Sequence, residues 1–372
     1  FSLISPHNNY EMAGDGALVV IAGAFAGGIY AAYCLPECTL LQSVPILALP
    51  FLLSVCCSSP DRCIIPVTAV FFVLGIMRWN CEAFWSSGIQ FCSRNHLAAV
   101  SLDRLTALIE RAGFGKNGEE ALITALLSGR RESLGRATVE MFRESGASHI
   151  LALSGLHLGI IYMLLSRTLI PLGNTPAARA VRSIAVVCSC YFYTMMTGSS
   201  PSTVRALLFI IINEISKMES GRDRSKAGIF SIAIIIQLLA SPEVMLDTGF
   251  QLSYLAMAGL MTVQPVLESW YPSFDNPRAS RFDIMHRIWS SASIAIACQA
   301  FTSPLVWFRF HTFPRHFLLT NIIALPLTET IMICAVITLV LTALGFCPDL
   351  APGLTGKMVR CLEYCLEIIS QM

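Results

Sequence analysis

Ten apolar runs, several of them close to the length that crosses a membrane, constrain this chain more than any other feature. They cover residues 17–33, 40–57 and 64–77, and then 149–166, 184–197, 204–216, 227–240, 250–264, 288–308 and 317–346. A hydrocarbon core of about 30 Å takes about 20 apolar residues of helix, and fewer where a segment is re-entrant or buried between neighbours. Composition agrees: 55% of the 372 residues are hydrophobic and 13% are charged, against about 25% charged in soluble domains. The sequence therefore predicts an all-α, polytopic transmembrane bundle. With a formal net charge of +1, bulk charge gives no attraction to polyanions, so any contact with one falls to local Arg and Lys.

Interruptions in the runs carry the next inference. Pro45 and Pro50 predict a kink in the second run, and Pro326 predicts a broken helix or two segments in the last. Two connectors, TGSSPS at 197–202 and SPEVMLDTG at 241–249, are too short and too polar to span. Gly, Ser and Pro at membrane depth belong where backbone lines a wet cavity or is buried in protein, so TGSSPS predicts a break facing a pore. Residues 78–147 are polar, with nine Lys/Arg against eight Asp/Glu. Within them Leu102, Leu105, Leu108 and Ile109 recur at helical spacing, which predicts an amphipathic helix on the bundle or membrane surface.

Loop charges give an orientation, because Lys and Arg concentrate in short cytoplasmic loops. Residues 217–226 hold Lys217, Arg222, Arg224 and Lys226; residues 241–249 hold only Glu243 and Asp247; residues 265–287 hold Arg278, Arg281 and Arg287. These loops alternate inside, outside, inside. The same count puts residues 78–147 outside despite their cations, a length at which the rule weakens. The first run follows no Lys or Arg and the chain starts at Phe1, so a signal peptide is not expected and an incomplete N-terminus is. Of the 14 cysteines, many sit in or beside apolar runs, no C-x-x-C occurs, and no zinc site is expected.

Motifs then narrow the reading. The string Ser148-His149-Ile150-Leu151-Ala152-Leu153-Ser154-Gly155-Leu156-His157-Leu158-Gly159 resembles the signature of the membrane domain of the ComEC competence family. Thr197-Gly198 through Ser202 to Arg205-Ala206, and Gly249-Phe250-Gln251-Leu252-Ser253, fit the family in the same order. Ser303-Pro304 and Asn321 before Pro326 fit more loosely, and Leu126 to Arg130 resembles the start of the family's domain. The resemblance covers roughly residues 120–345. It implies transmembrane helices over 1–77, the polar segment over 78–147, a competence-type channel domain over 148–346 and an amphipathic tail over 347–372. Family members typically also carry an OB-like domain and a metallo-β-lactamase-like nuclease. Residues 78–110 are too few for such a barrel and no H-x-H-x-D-H string occurs, so strand degradation is expected of another chain or a missing part.

Individual residues admit two readings each. His149 and His157, eight apart, lie about 12 Å from one another in an unbroken helix and cannot share a metal. Ser154 and His157 stand at i, i+3 and raise a membrane-embedded hydrolase, against which stand the missing third group and the missing G-x-S-x-G. His157 suits helix packing or a polar path, and Ser154-Gly155 suits close helix contact. Arg205 opens an apolar run beside TGSSPS, near a helix N-terminus that favours an anion such as phosphate; a structural pair with Glu214 or Asp247 is the other reading. Gln251, Ser253 and Tyr254 line a path or bond between helices. Trp307, Phe308, Arg309, Phe310 and His311 suit a base-stacking platform or, better, an interfacial aromatic belt.

The resemblance implies a multi-pass protein of the bacterial cytoplasmic (inner) membrane that passes single-stranded DNA inward during natural transformation. Its path residues would be His149, Ser154, Gly155, His157, Gly198, Ser202, Arg205, Gln251, Ser253 and Asn321. No cofactor is expected; the expected partners are single-stranded DNA, membrane lipid, a DNA receptor, a cytoplasmic helicase and a separate nuclease. A small-solute transporter with a midplane site is the remaining alternative. The orientation is tested by cysteines introduced near Asp247 and Arg222: an impermeant thiol reagent added outside should label the first alone, and labelling of both from one face contradicts the topology.

Overall fold

The computed structural model describes residues 6–34, 60–80, 96–115, 118–151, 155–173, 175–220, 225–271, 284–311, 316–346 and 350–371. The expected kink at Pro45 and Pro50 lies outside them. In chain order the helices are α1 (Pro6–Cys34), α2 (Pro60–Asn80), α3 (His96–Ala112), α4 (Glu119–Ser128), α5 (Arg136–Glu144), α6 (Ser148–Leu151), α7 (Gly155–Thr168) and α8 (Pro176–Met196). They continue as α9 (Pro201–Ser220), α10 (Lys226–Ala240), α11 (Thr248–Thr262), α12 (Gln264–Glu268), α13 (Ile284–Phe310), α14 (Phe317–Ala343) and α15 (Leu350–Ser370). No strand occurs among the described residues. The fold is all-α, as the apolar runs predict.

Among the described residues, five segments are long and apolar enough to cross a membrane: Gly16–Cys34, Gly155–Leu172, Thr248–Glu268, Met285–Phe310 and Phe317–Ala343. The runs at 64–77 and 227–240 form shorter apolar helices. Those at 184–197 and 204–216 lie in α8 and α9, outside the five. The chain divides into two compact units, Phe1–Ser93 with Leu208–Gln251, and Arg94–Leu207 with Leu252–Met372; the divisions fall within α9 and α11.

In the first unit α1 packs on α2 and α10. Helices in lipid gain little from apolar burial and rely on close approach, which small residues permit. Gly28 and Gly75 do this here: a Cβ on Gly28 would strike the Phe72 carbonyl, and one on Gly75 the Phe25 carbonyl. Edge-to-face pairs, Phe25 with Phe71 (6.5 Å) and Tyr33 with Trp79 (5.6 Å), extend the contact. Arg78 closes the unit, donating from Nε to the Leu239 carbonyl (2.7 Å) and from Nη2 to that of Ala240 (3.1 Å). A helix end leaves its last carbonyls unpaired and bears partial negative charge, so an arginine there stabilises α10 twice over.

The second unit is built on α14, against which α3, α4, α7, α13 and α15 pack. Its core joins Leu122, Ile123 and Leu126 of α4, Phe142 of α5, Ile331 and Met332 of α14, and Val359 and Leu362 of α15. Helix α3 buries Ile109, half-buries Leu102, Leu105 and Leu108, and exposes Asp103, Arg104, Glu110 and Arg111, as its spacing predicts. Helix α4 departs from a surface placement, since Leu122, Ile123, Ala125, Leu126 and Leu127 are all buried. Its sequence, EEALITALLS, is apolar all round after the first turn, and such a helix is a core helix. Buried Glu119 at its start is matched by Arg360 of α15 (3.3 Å).

Helix α14 is continuous through Pro326, which corrects the expectation of a break. Proline removes one hydrogen bond of the ladder, and the neighbouring helices hold the rest in register; the Thr330 hydroxyl donates to the Pro326 carbonyl (2.7 Å). Threonines elsewhere in the spans do likewise, Thr302 to Cys298 (2.9 Å), Thr338 to Cys334 (2.8 Å) and Thr342 to Thr338 (2.8 Å). Such back-bonding keeps hydroxyls satisfied where no water reaches.

The Gly28 contact is testable within its own helix. Gly28→Ala should cost about 1–3 kcal/mol by overpacking and lower the thermal stability of detergent-solubilised protein. Gly23→Ala, with open space around the added carbon, should not. Equal stability of the two variants contradicts the α1–α2 packing.

Candidate functional site: a polar contact between two motifs

TGSSPS makes the tight turn that its residues predict. Gly198 and Ser199 hold left-handed φ of 85° and 51°, and Ser200 starts the next helix by accepting from the Thr203 amide (3.3 Å). Glycine tolerates the first of these conformations freely, and serine adopts the second at some cost. The break predicted between the two runs is therefore present, and it sets Ser202, half-buried, and Arg205 on the first turns of α9.

Arg205 is 3% exposed and His157, on α7, is 1% exposed. Their helices meet at Gly155: a Cβ there would lie 3.3 Å from the Ala206 side chain. The two motifs most specific in sequence are thus in contact within one unit, and the residue at the contact has no side chain. Thr203, two residues before Arg205, is fully buried, and its hydroxyl donates to the Ser200 carbonyl (2.9 Å). A charge at mid-depth in a lipid-facing helix costs about 2.5–3.5 kcal/mol, so burial within protein is the expected place for Arg205. Ser154 lies outside the described residues.

A second pair forms at the start of α14. The Thr320 hydroxyl donates to the Ser145 carbonyl at the end of α5 (2.6 Å), which fastens α14 beside α6. Asn321 follows, and its side chain lies within electrostatic reach of His149. The His149 Nδ1 is 3.2 Å from the Gly146 carbonyl, and its side chain is exposed. Asn321 Oδ1 is shut away from the surface.

Other candidates have local roles. Gln251 Nε2 donates to the Met245 carbonyl (2.9 Å), and Asp247 accepts from the Phe250 amide (2.8 Å) and so caps α11. Glu214 is buried and accepts from Lys217 (3.2 Å). Ser253 is half-buried on α11. Trp307, Phe308 and Phe310 are exposed at the end of the span that closes α13, as an interfacial belt would be. Sequence reasoning missed the Tyr193 hydroxyl, which donates to the Leu127 carbonyl (2.8 Å) and ties α8 to α4. It also missed Glu329, an acid near the middle of α14 that its apolar surroundings mark out.

Comparison with known proteins bears on all of these residues. Residues 126–372 match the family model described as Competence protein, and the chain belongs to that family. The match takes in α15, beyond the stretch that the motifs cover. ComE operon protein 3 of Bacillus subtilis is 26% identical over 205 residues, 55% of this chain and 24% of that protein. Recombination protein 2 of Haemophilus influenzae is 24% identical over 253 residues, 64% of this chain and 31% of that protein. An uncharacterized protein, YcaI, of Escherichia coli is 24% identical over 217 residues, 57% and 28% of the two chains. The chain thus spans about a quarter to a third of the length of the curated relatives it matches. No solved structure matches it.

A size swap tests the contact between the motifs. Gly155→Ala should lower stability, by about 1–3 kcal/mol if the backbone cannot shift, and Ala206→Gly in the same chain should restore most of the loss. Additive destabilisation by the two changes means that α7 and α9 do not meet there.

Proposed function

We propose that this member of the competence family is the membrane-embedded part of a conduit through which single-stranded DNA enters a bacterium during natural transformation, across the cytoplasmic membrane. The observation that carries the reading is that α7 and α9 approach at Gly155 and Ala206, where the two family motifs meet, and that Arg205 and His157, close to these residues in sequence, are both buried. A strand presents one anion per nucleotide, and a path through hydrocarbon must offer water with cations or helix N-termini along it. Arg205 stands on the second turn of α9 and combines both. In the conformation described it is buried, so its surroundings must part for a phosphate to reach the guanidinium.

The names of the relatives, a ComE operon protein and a recombination protein in a family called Competence, support DNA as the substrate. Neither the hydrolase built on Ser154 and His157 nor the solute transporter has such support. A DNA receptor to deliver the strand, a cytoplasmic helicase to draw it in and a separate nuclease to remove its complement are the partners that the reading calls for.

Transformation frequency, normalised to the amount of membrane-inserted protein, tests it. Arg205→Gln should reduce uptake by an order of magnitude or more, and Arg205→Lys should retain part of it. Arg205→Gln at parental frequency and abundance contradicts the phosphate role, and its disappearance from the membrane marks Arg205 as a structural partner. His157→Gln keeps a hydrogen bond without a titratable group, so parental activity assigns His157 to packing.

A further inference from the structure

Glu329 is the thirteenth of the 27 residues of α14, which puts either end of the helix about 20 Å away. That span is too long for its side chain to reach a membrane surface. Its side chain is exposed on the second unit, as are those of Pro326 and Thr330 beside it. Leu319, Ile337 and Val340 continue the exposed side of the same helix with apolar groups. An ionisable group at such depth belongs against water or a bundle interior, not against lipid tails.

A second feature points the same way. Pro326 has no N–H, so the Ile322 carbonyl lacks its helical donor, and Ile322, Pro326 and Glu329 recur at the spacing of one helix face. The Thr330 hydroxyl is committed to the Pro326 carbonyl (2.7 Å) and does not reach back to relieve Ile322. Backbone carbonyls left open in this way are tolerated in a membrane where water or protein meets them.

No ion pair among the described residues reaches the carboxyl. Glu119 of α4 is matched by Arg360 of α15 (3.3 Å), and Asp103 of α3 by Arg130 (2.8 Å). His286 of α13 is 3.4 Å from Glu268, and His157 of α7 is buried. Among the described residues Glu329 has neither an ion pair nor a hydrogen bond. Nor do any three of their His, Cys, Asp and Glu side chains gather as a metal would need. A single carboxyl with no companion ligand suits a proton.

We infer that Glu329 is a proton-binding site on a face of α14 that meets water inside the membrane. The carboxylate takes a proton from hydronium, releasing water, and returns it by the reverse step. In its protonated form it leaves the membrane interior neutral, and in its charged form water must reach it. The inference concerns this helix and stands whether or not a DNA strand passes along it.

Dicyclohexylcarbodiimide, which adds to protonated carboxyls in apolar surroundings, tests it on membranes containing the full chain, with peptide mass spectrometry as the readout. Glu329 should be modified, and modification should fall severalfold as the aqueous pH is raised from mildly acidic to alkaline. Glu329→Gln should lose the modified peptide; Glu329→Asp, which keeps the carboxyl, replaces it should Glu329→Gln fail to insert, and should be modified with the same pH trend. Absence of modification at every pH, or modification that ignores pH, overturns the inference. Neither outcome depends on DNA uptake, so the conduit reading fails or stands separately.

Discussion

Hydrocarbon offers no hydrogen bonds, and that one constraint decides where many of the described polar groups sit. Several hydroxyls in the spans, those of Thr302, Thr338 and Thr342 among them, donate to carbonyls of their own helix. Helix ends are closed by side chains, by Arg78 from α2 on the end of α10 and by the adjoining Asp247 and Ser200 on the starts of α11 and α9. Since apolar burial gives little between helices in lipid, contacts form where side chains are absent, at Gly28, Gly75, Gly155 and Gly259. The Glu329 carboxyl, which these devices do not serve, stands out against this background.

Helix identity was legible in the apolar runs because a span must be continuous and about 20 residues long. The turn at TGSSPS was legible too, since Gly198 and Ser199 suit left-handed backbone that most residues avoid. Pro326 misled: a proline costs a helix one bond, and packing around α14 outweighs it. The burial of α4 among the helices of its unit was obscured by the charged sequence on either side of it. Pairing was the least visible property. That Gly155 would lie against Ala206, or Thr320 against the Ser145 carbonyl, depends on residues 51 and 175 positions apart in the chain, and no local pattern encodes such a meeting.

For the site, the sequence supplied residue types and their order, and the structure supplied which of them share a location. Gly155 of one motif meets Ala206 of the other, and His149 meets Asn321 in the same unit. Gln251 turns out to brace the connector before α11. The motif at 249–253 thus contains structural work alongside any contact with substrate, and the acidic residue of its preceding loop is a helix cap. Membership of the competence family rests on two thirds of the chain, whereas the curated relatives are several times longer than the region they share with it.

Whether a strand passes the junction of the two motifs is a question of proximity. A photoreactive amino acid at position 202, half-buried on the turn before Arg205, can be activated while labelled DNA is being taken up. The account predicts a covalent adduct between position 202 and single-stranded DNA that forms only during uptake and is outcompeted by unlabelled DNA. Cross-links confined to lipid or protein, in cells that are taking up DNA normally, would contradict it.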